Sequence, residues 1–557
     1  MPLKAIYDKK PLTRLQQQFL CNGQVRSRDP FVEKLACACQ KFSADPEMWE
    51  GLFSLLCLFE KNDPLESEVA RLILKTIRDT EDGSFPGEIS CQIATARAAY
   101  AIYEYNTDRG ILKRLISWVR YIEVQWVNIE SDTSLKSNAA DLMQLLVSLY
   151  RITGLKALLR LCSRLRALSF DWTSALHGFN QRQPLSRMIN AADLQTAINN
   201  DHGDVTLFST RQYIMNHPEY LSDGIRFTTY SSMYSGNGLD LSAGKDGWKL
   251  ISRYHGAACG GTTADTLLAG TGTNKAIDTA CIAAWCEAFC SQLLLKDSFW
   301  AAKEAVIAYQ NGIKAAMQNG TPELYQYVNQ FDNKGHKPEQ FYPLATSQHC
   351  LCRMARAVSA VYRSAVCVTE RGFDIQMMIP GIYTASVNGN AVTISISDTG
   401  IAVRVKQPTD ASIDLTGLFN CKGMCLELNQ QQYNVNPENE RAIISRQWEN
   451  GDTIEILYAE LPEKVRMHHQ GIGYQKGNKM LCFDMQGEKA MPAVCGEPLL
   501  RDGRVYVPTK KVISRGEGQL LSDIPVLPDT EDETVLRELH EYSEKNCRMT
   551  VMPKAKE

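Results

Sequence analysis

The chain has 557 residues, 44% hydrophobic and 22% charged, the proportions of a globular protein with material for a substantial core. A formal net charge of −3 offers no basic field to a polyanion, which argues against nucleic acid as a partner. No run approaches the roughly 18 consecutive apolar residues of a spanning helix, so no membrane partner is expected. Charged residues such as Lys4, Asp8, Lys9 and Lys10 stand where an export signal needs an apolar core, which predicts a cytoplasmic protein. The 18 cysteines lack the paired CxxC spacing of a zinc module and read first as buried, reduced thiols. Nothing in the composition fixes the oligomeric state.

In chain order, apolar residues recur every three or four positions over 49–59, 67–79, 91–105, 111–123, 139–153 and 155–168, predicting helices. The breaks carry turn chemistry, as in Asn62-Asp63-Pro64 and Asp82-Gly83. Further helices are predicted at 189–199, 204–216, 222–234, 241–254, 275–295, 298–317, 321–328 and 347–368. Consecutive helices without intervening strands predict hairpins stacked around a centre, an (α/α)6 toroid. Near residue 370 the period drops to two. Segments such as 382–407 and 442–461 alternate as half-buried strands, and Asn388-Gly389 is a strong hairpin signal. Asp398-Thr399-Gly400 and Asn450-Gly451-Asp452 predict further turns. The expected class is α+β and multidomain: a toroid over 1–368, an antiparallel β-sandwich over 369–465, a second β-rich module over 466–528, and a charged helix and tail over 529–557.

Short motifs recur in order along the chain: Leu15-Gln16-Gln17-Gln18-Phe19-Leu20, Trp49-Glu50-Gly51, Leu149-Tyr150-Arg151-Ile152-Thr153-Gly154 and Asp171-Trp172-Thr173, followed by His202-Gly203 and Tyr254-His255-Gly256. The series resembles the β-L-arabinofuranosidases of glycoside hydrolase family 127. Ala264-Asp265-Thr266-Leu267-Leu268-Ala269-Gly270 is similar to the family's GDEHLAG segment, and Trp448-Glu449-Asn450-Gly451-Asp452 to its sandwich turn. The resemblance implies a six-hairpin barrel with appended sandwiches, a carbohydrate partner, and release of terminal β-linked L-arabinofuranose from plant-derived oligosaccharides. It also implies a zinc ion held by one glutamate and three cysteines, one of them the nucleophile, with a second glutamate as acid/base; zinc supplies the low thiol pKa such chemistry needs.

The chain departs from that pattern at the reacting positions. Thr266 stands where the acid/base glutamate is expected, leaving Asp265 as the nearest acid. Asp278-Thr279-Ala280 replaces Glu-Thr-Cys, with Cys281 one residue on, and Cys350-Leu351-Cys352 replaces an adjacent cysteine pair. The expected catalytic residues are therefore Asp265, Cys350 and Asp278, and the expected sugar contacts His202, His255, Trp172 and Tyr254. A rebuilt zinc site would need Asp278, Cys281, Cys350 and Cys352; without Cys281 or Cys352, no stoichiometric zinc is expected. Glu287 and Glu304 sit on helices with apolar neighbours and read first as solvated faces, with an unrecognised catalytic carboxylate as the alternative for either. Two functions remain open, a diverged glycoside hydrolase and a catalytically silent sugar-binding relative.

Overall fold

Helix starts are written in the sequence. Asp45 accepts from the Glu47 N–H with Pro46 at the first helical position, Asp278 from Ala280 and Cys281, and Thr346 from His349. These caps open three helices of an inner set of six: α1 (Pro46–Leu56), α2 (Ile89–Asn106), α3 (Ala139–Thr153), α4 (Pro218–Ser235), α5 (Thr279–Gln292) and α6 (Ser347–Ala365). Each packs against the next, and α6 returns to α1, closing a ring. Inner helices are buried nearly all round; every residue of α5 is buried. Amphipathic helices Pro30–Gln40, Pro64–Arg78, Arg109–Ile129, Lys156–Leu168, Gly238–His255 and Phe299–Ile307 lie against them from outside. The computed structural model describes residues 25–27, 29–59, 64–78, 83–184, 207–295, 299–318, 320–330, 346–369, 371–416, 425–433, 442–466, 471–488, 490–513, 528–545 and 547–555. The helix expected at 189–199 lies outside them. No described helix is long and apolar enough to cross a membrane.

The change of period near 370 marks a real change of structure: α6 ends at Ala365 and strands follow from Val366. Val387 and Asn390 pair across the predicted Asn388-Gly389 turn. A seven-stranded sheet runs in the order 25–27, 381–387, 390–396, 400–405, 453–457, 425–428, 431–433, so the first described strand, through Val25, pairs with Tyr383 far along the chain. A four-stranded sheet (442–448, 409–415, 372–375, 366–369) accompanies it. Its 409–415 strand pairs antiparallel with 442–448 but parallel with 372–375, which corrects the expectation of purely antiparallel sheets. Two further sheets are built around 472–484 and 504–512.

Three other expectations are corrected. Residues 325–327, expected within a helix, form a short strand paired antiparallel with 276–278. The helix expected over 298–317 stops at Ile307 and passes into a π-helical turn, Ala308–Ile313. There Asn311 donates to the carbonyls of Ile307 and Asn478 and accepts from the Met480 N–H at 2.8 Å, which ties the helices to the C-terminal sheets. In the charged C-terminal segment the described residues 529–545 and 547–555 form strands and one 3-10 turn, Tyr542–Glu544, in place of the expected amphipathic helix and tail. Thr530–Glu538 is an edge strand on 504–512, its charge density suiting an exposed sheet edge. Residues 548–549 pair with 483–484, and buried Arg548 stacks 4.2 Å from the Tyr542 ring centroid. Asn329 holds this last segment with both ends of its amide, accepting from Thr550 and Val551 N–H and donating to the Val551 carbonyl. Asn329→Ala should therefore cost about 1–3 kcal/mol, leaving two buried N–H groups without acceptors. Limited proteolysis would register this as cleavage near the C-terminus that spares the wild type.

Candidate functional site at the N-terminal end of the helix ring

The inner helices run in one direction around the ring. First-turn residues Glu47, Ser90, Ala140 and His349 border a cavity of about 200 Å³, while later residues Ser54, Tyr100, Ser148 and Ser359 border a second of about 90 Å³. Between the two, each inner helix contributes one charged side chain: Glu50, Arg97, Asp141, Arg226, Glu287 and Arg356. Arg97 pairs with Glu50 at 2.8 Å and with Asp141. Arg226 reaches Asp141 at 2.6 Å and Glu287 at 3.2 Å, and Arg356 reaches the same two at 2.7 and 2.9 Å. One turn nearer the N-terminal end, Arg353 pairs with Glu219 at 2.7 Å and Asp223 at 3.2 Å. Burial disfavours the charged carboxylates, but the guanidiniums outweigh it. Asp141 is held well below its ordinary value, and Glu287 down to about 2, by Arg226, Arg356 and Arg97. Glu287 is thus a buried member of the axis, which corrects its reading as a solvated face.

The predicted site residues gather at the N-terminal end only in part. Asp278, Cys281 and Cys350 are neighbours, each buried and each within electrostatic reach of Glu219. Burial, reinforced by Glu219, raises the Asp278 carboxyl to about 6. Glu219 moves the opposite way: burial opposes its ionisation, but Arg353 and His349 hold it far below the usual carboxylate range. His349 stands 3.0 Å from Glu219, and its own pKa is raised by that carboxylate against the effect of burial. Burial, with Asp278 and Glu219, pushes the Cys350 and Cys281 thiols well up, so both are protonated at neutral pH. Glu219, His349 and Arg353 escaped the sequence reading. The signal available was His217-Pro218-Glu219 at a helix start, an acidic group in a first turn.

The remaining candidates are placed differently. Asp265 accepts from the Ala276 N–H at 2.9 Å and pairs with Lys275 at 3.1 Å, bracing the loop that leads to Asp278. His255 is buried with both ring nitrogens on backbone, Nε2 at 2.8 Å from the Gln181 carbonyl and Nδ1 accepting from Gly270. Trp172 is buried against Gly224, where an added Cβ would lie 2.3 Å from the indole. Tyr254 is half-buried with Arg182 and Arg253 over its ring. His202 lies outside the described residues. Cys352 turns away from Asp278 towards Glu47, Asp45 and Cys39.

That arrangement does not fit the zinc site the resemblance implies. Asp278 Oδ1 is engaged by the Ala280 and Cys281 N–H groups at 2.8 and 3.3 Å, and Cys352 faces another helix. Among the described residues, no three His, Cys, Asp or Glu side chains converge closely enough to hold a metal ion, and the described cysteines are free thiols.

No family model matches the chain, and neither does any curated protein sequence. Solved structures do. A glycoside hydrolase superposes with TM-score 0.72 and 13% identity, covering 97% of this chain and 99% of its own. The GH127 β-L-arabinofuranosidase of Geobacillus stearothermophilus T6 gives 0.66 and 14%, covering 100% and 98%. A second GH127 β-arabinofuranosidase gives 0.62 and 12%, covering 98% and 96%. From end to end the chain shares the fold of these glycoside hydrolases, two of them GH127 enzymes.

Proposed function

We propose that the protein is a glycoside hydrolase of (α/α)6-toroid type that removes a terminal arabinofuranosyl-like sugar from an oligosaccharide, at the N-terminal end of its helix ring. The observation that carries this is a pair of buried carboxylates driven apart in protonation. Asp278 is raised to about 6 and can donate a proton to a leaving oxygen; Glu219 stays ionised against Arg353 and His349. Two carboxyl groups with separated roles are the minimum that glycoside hydrolysis requires. Asp265 braces the loop, and Cys350 is a neutral neighbour rather than a thiolate. The 200 Å³ cavity is bordered by Arg97, Asp141, His349, Arg353 and Arg356 and not by Asp278 or Glu219 themselves; His349 and Arg353, both bonded to Glu219, link it to the carboxylates and offer donors for sugar hydroxyls.

A second reading, sugar binding without turnover, is favoured by one observation: both Glu219 oxygens lie within hydrogen-bonding distance of His349, and one also accepts from Arg353. A panel of 4-nitrophenyl glycosides that includes the β-L-arabinofuranoside separates the two. Turnover is expected in the wild type and, within about threefold, in Cys350→Ser. Turnover that depends on added zinc in the wild type and is abolished in Cys350→Ser with or without zinc would establish thiolate chemistry instead. Calorimetric binding of L-arabinose with no turnover across the panel would establish the second reading.

A further inference from the structure

Six non-glycine residues among those described have a positive φ, and five of them, Thr107, Asn388, Asn429, Gln430 and Asp502, are exposed at turns or a helix end. The sixth, Thr266, has φ 78° and is only 5% exposed. There the Cβ of an L residue crowds the backbone, and β-branching makes the crowding worse. The same stretch of chain places glycine at its other positive-φ positions, Gly260, Gly261 and Gly270. Glycine would serve the tight Asp265–Leu267 pairing as well or better. The conformation alone therefore does not account for threonine, and a strained residue kept in a buried site points to a use for its side chain.

Its hydroxyl is hydrogen-bonded to the phenol of Tyr325. Tyr325 lies directly across from Asp278 in the 276–278/325–327 strand pair, and its phenol is within electrostatic reach of Asp278, Cys281 and Cys350. Thr266 itself is one residue from Asp265, whose carboxylate holds the start of the strand that carries Asp278.

We infer that Thr266 is a positioning residue of this site, its hydroxyl fixing the Tyr325 phenol beside Asp278 and Cys350. The strained backbone keeps that hydroxyl where no relaxed turn would put it. The phenol so placed presents a hydrogen-bond donor to a ligand oxygen at Asp278, and the proposal rests to that extent on the carbohydrate reading above.

Full-length Thr266→Gly and Thr266→Ser test it. Glycine removes both strain and hydroxyl, while serine keeps the hydroxyl. On 4-nitrophenyl β-L-arabinofuranoside, serine is expected to stay within about twofold of wild-type kcat, and glycine to lose about tenfold or more in kcat with little change in KM. Tyr325→Phe should lose as much, and adding Thr266→Gly to it should lose nothing further. A glycine variant with wild-type kcat overturns the proposal, because a residue serving only the turn would be improved by glycine. Crystal structures of both variants supply an arm that needs no turnover. A Tyr325 ring displaced in the glycine variant and restored in the serine variant supports the positioning role; a ring unmoved in both overturns it. A wild type inactive on every glycoside would defeat the reading of the site and leave that crystallographic arm to decide this inference.

Discussion

Arg226→Met is expected to lower the unfolding free energy by about 3–5 kcal/mol, the loss typical when one partner of a buried ion pair is removed and the other stays charged. Arg226 is fully buried and bonded to Asp141 at 2.6 Å, Gln144 at 2.7 Å and Asp223 at 2.9 Å, with Glu287 at 3.2 Å. Five carboxylates (Glu50, Asp141, Glu219, Asp223 and Glu287) already face only four guanidiniums (Arg97, Arg226, Arg353 and Arg356), with His349 as the further cation beside Glu219. Loss of Arg226 leaves Asp141 and Glu287 competing for Arg97 and Arg356. Methionine keeps only the apolar stem and leaves the guanidinium volume empty, so the charge is separated from the cavity by the double variant below. Urea denaturation followed by tryptophan fluorescence measures it, and the difference should survive 1 M salt, because buried pairs are poorly screened. The double variant Arg226→Met with Glu287→Gln should recover part of the loss. A change under about 1 kcal/mol would mean that water reaches the axis and screens it as it does surface pairs.

This network also explains what could and could not be read from the sequence. Outer helices such as Lys156–Leu168 have one apolar stripe, and their period places that one to within a residue, whereas 111–123 stops six residues short of Ile129 and Pro30–Gln40 is missed. Inner helices were located equally well, the expected 139–153 coinciding with α3, but their lone charges were misjudged. Glu287 sits among Cys286, Ala288 and Phe289 on a helix buried on all sides, and such a helix has no solvated face to give it. A charge there must be paired, yet its partners Arg226 and Arg356 lie tens of residues away, on helices whose adjacency only the closed ring establishes. The same holds for Glu219 and Asp278. Each is a first-turn or cap residue with an ordinary local role, and their meeting is a property of the ring. The C-terminal strand failed for another reason. Thr530–Glu538 is dense in charge, which reads as a solvated helix, whereas charge is also how an edge strand is protected from further pairing. Thr266 was read only as a missing glutamate; its backbone conformation has no signature in a one-letter string.

Asp278→Asn is expected to do two opposite things, lowering turnover by at least about a hundredfold and making the protein more stable above pH 6. The first follows from the role of Asp278 as proton donor, since an amide cannot protonate a leaving oxygen, and general acid catalysis contributes about 10²–10⁴ in rate. The second follows from linkage. The Asp278 carboxyl is raised from 3.8 to about 6 by burial and by Glu219, so the folded state holds this proton more tightly than the unfolded chain does. Its contribution to stability is therefore neutral below about pH 4, falls as pH rises from there to about 6, and above that is a constant penalty on the order of 3 kcal/mol. Asparagine removes the charge and still caps α5 through its side-chain oxygen, because Asn and Asp are comparable at that position. Denaturation at pH 4 and pH 8 should show no gain at the first and most of the gain at the second. The wild-type rate should in turn fall about tenfold per pH unit above pH 6, as Asp278 gives up the proton it must donate. Glu219 titrates too low to shape the profile in that range. A variant that gains stability at pH 8 yet keeps wild-type turnover would remove Asp278 from the chemistry and leave it as a helix cap. One that loses turnover without gaining stability would mean that water or a ligand already relieves the buried charge in the folded protein.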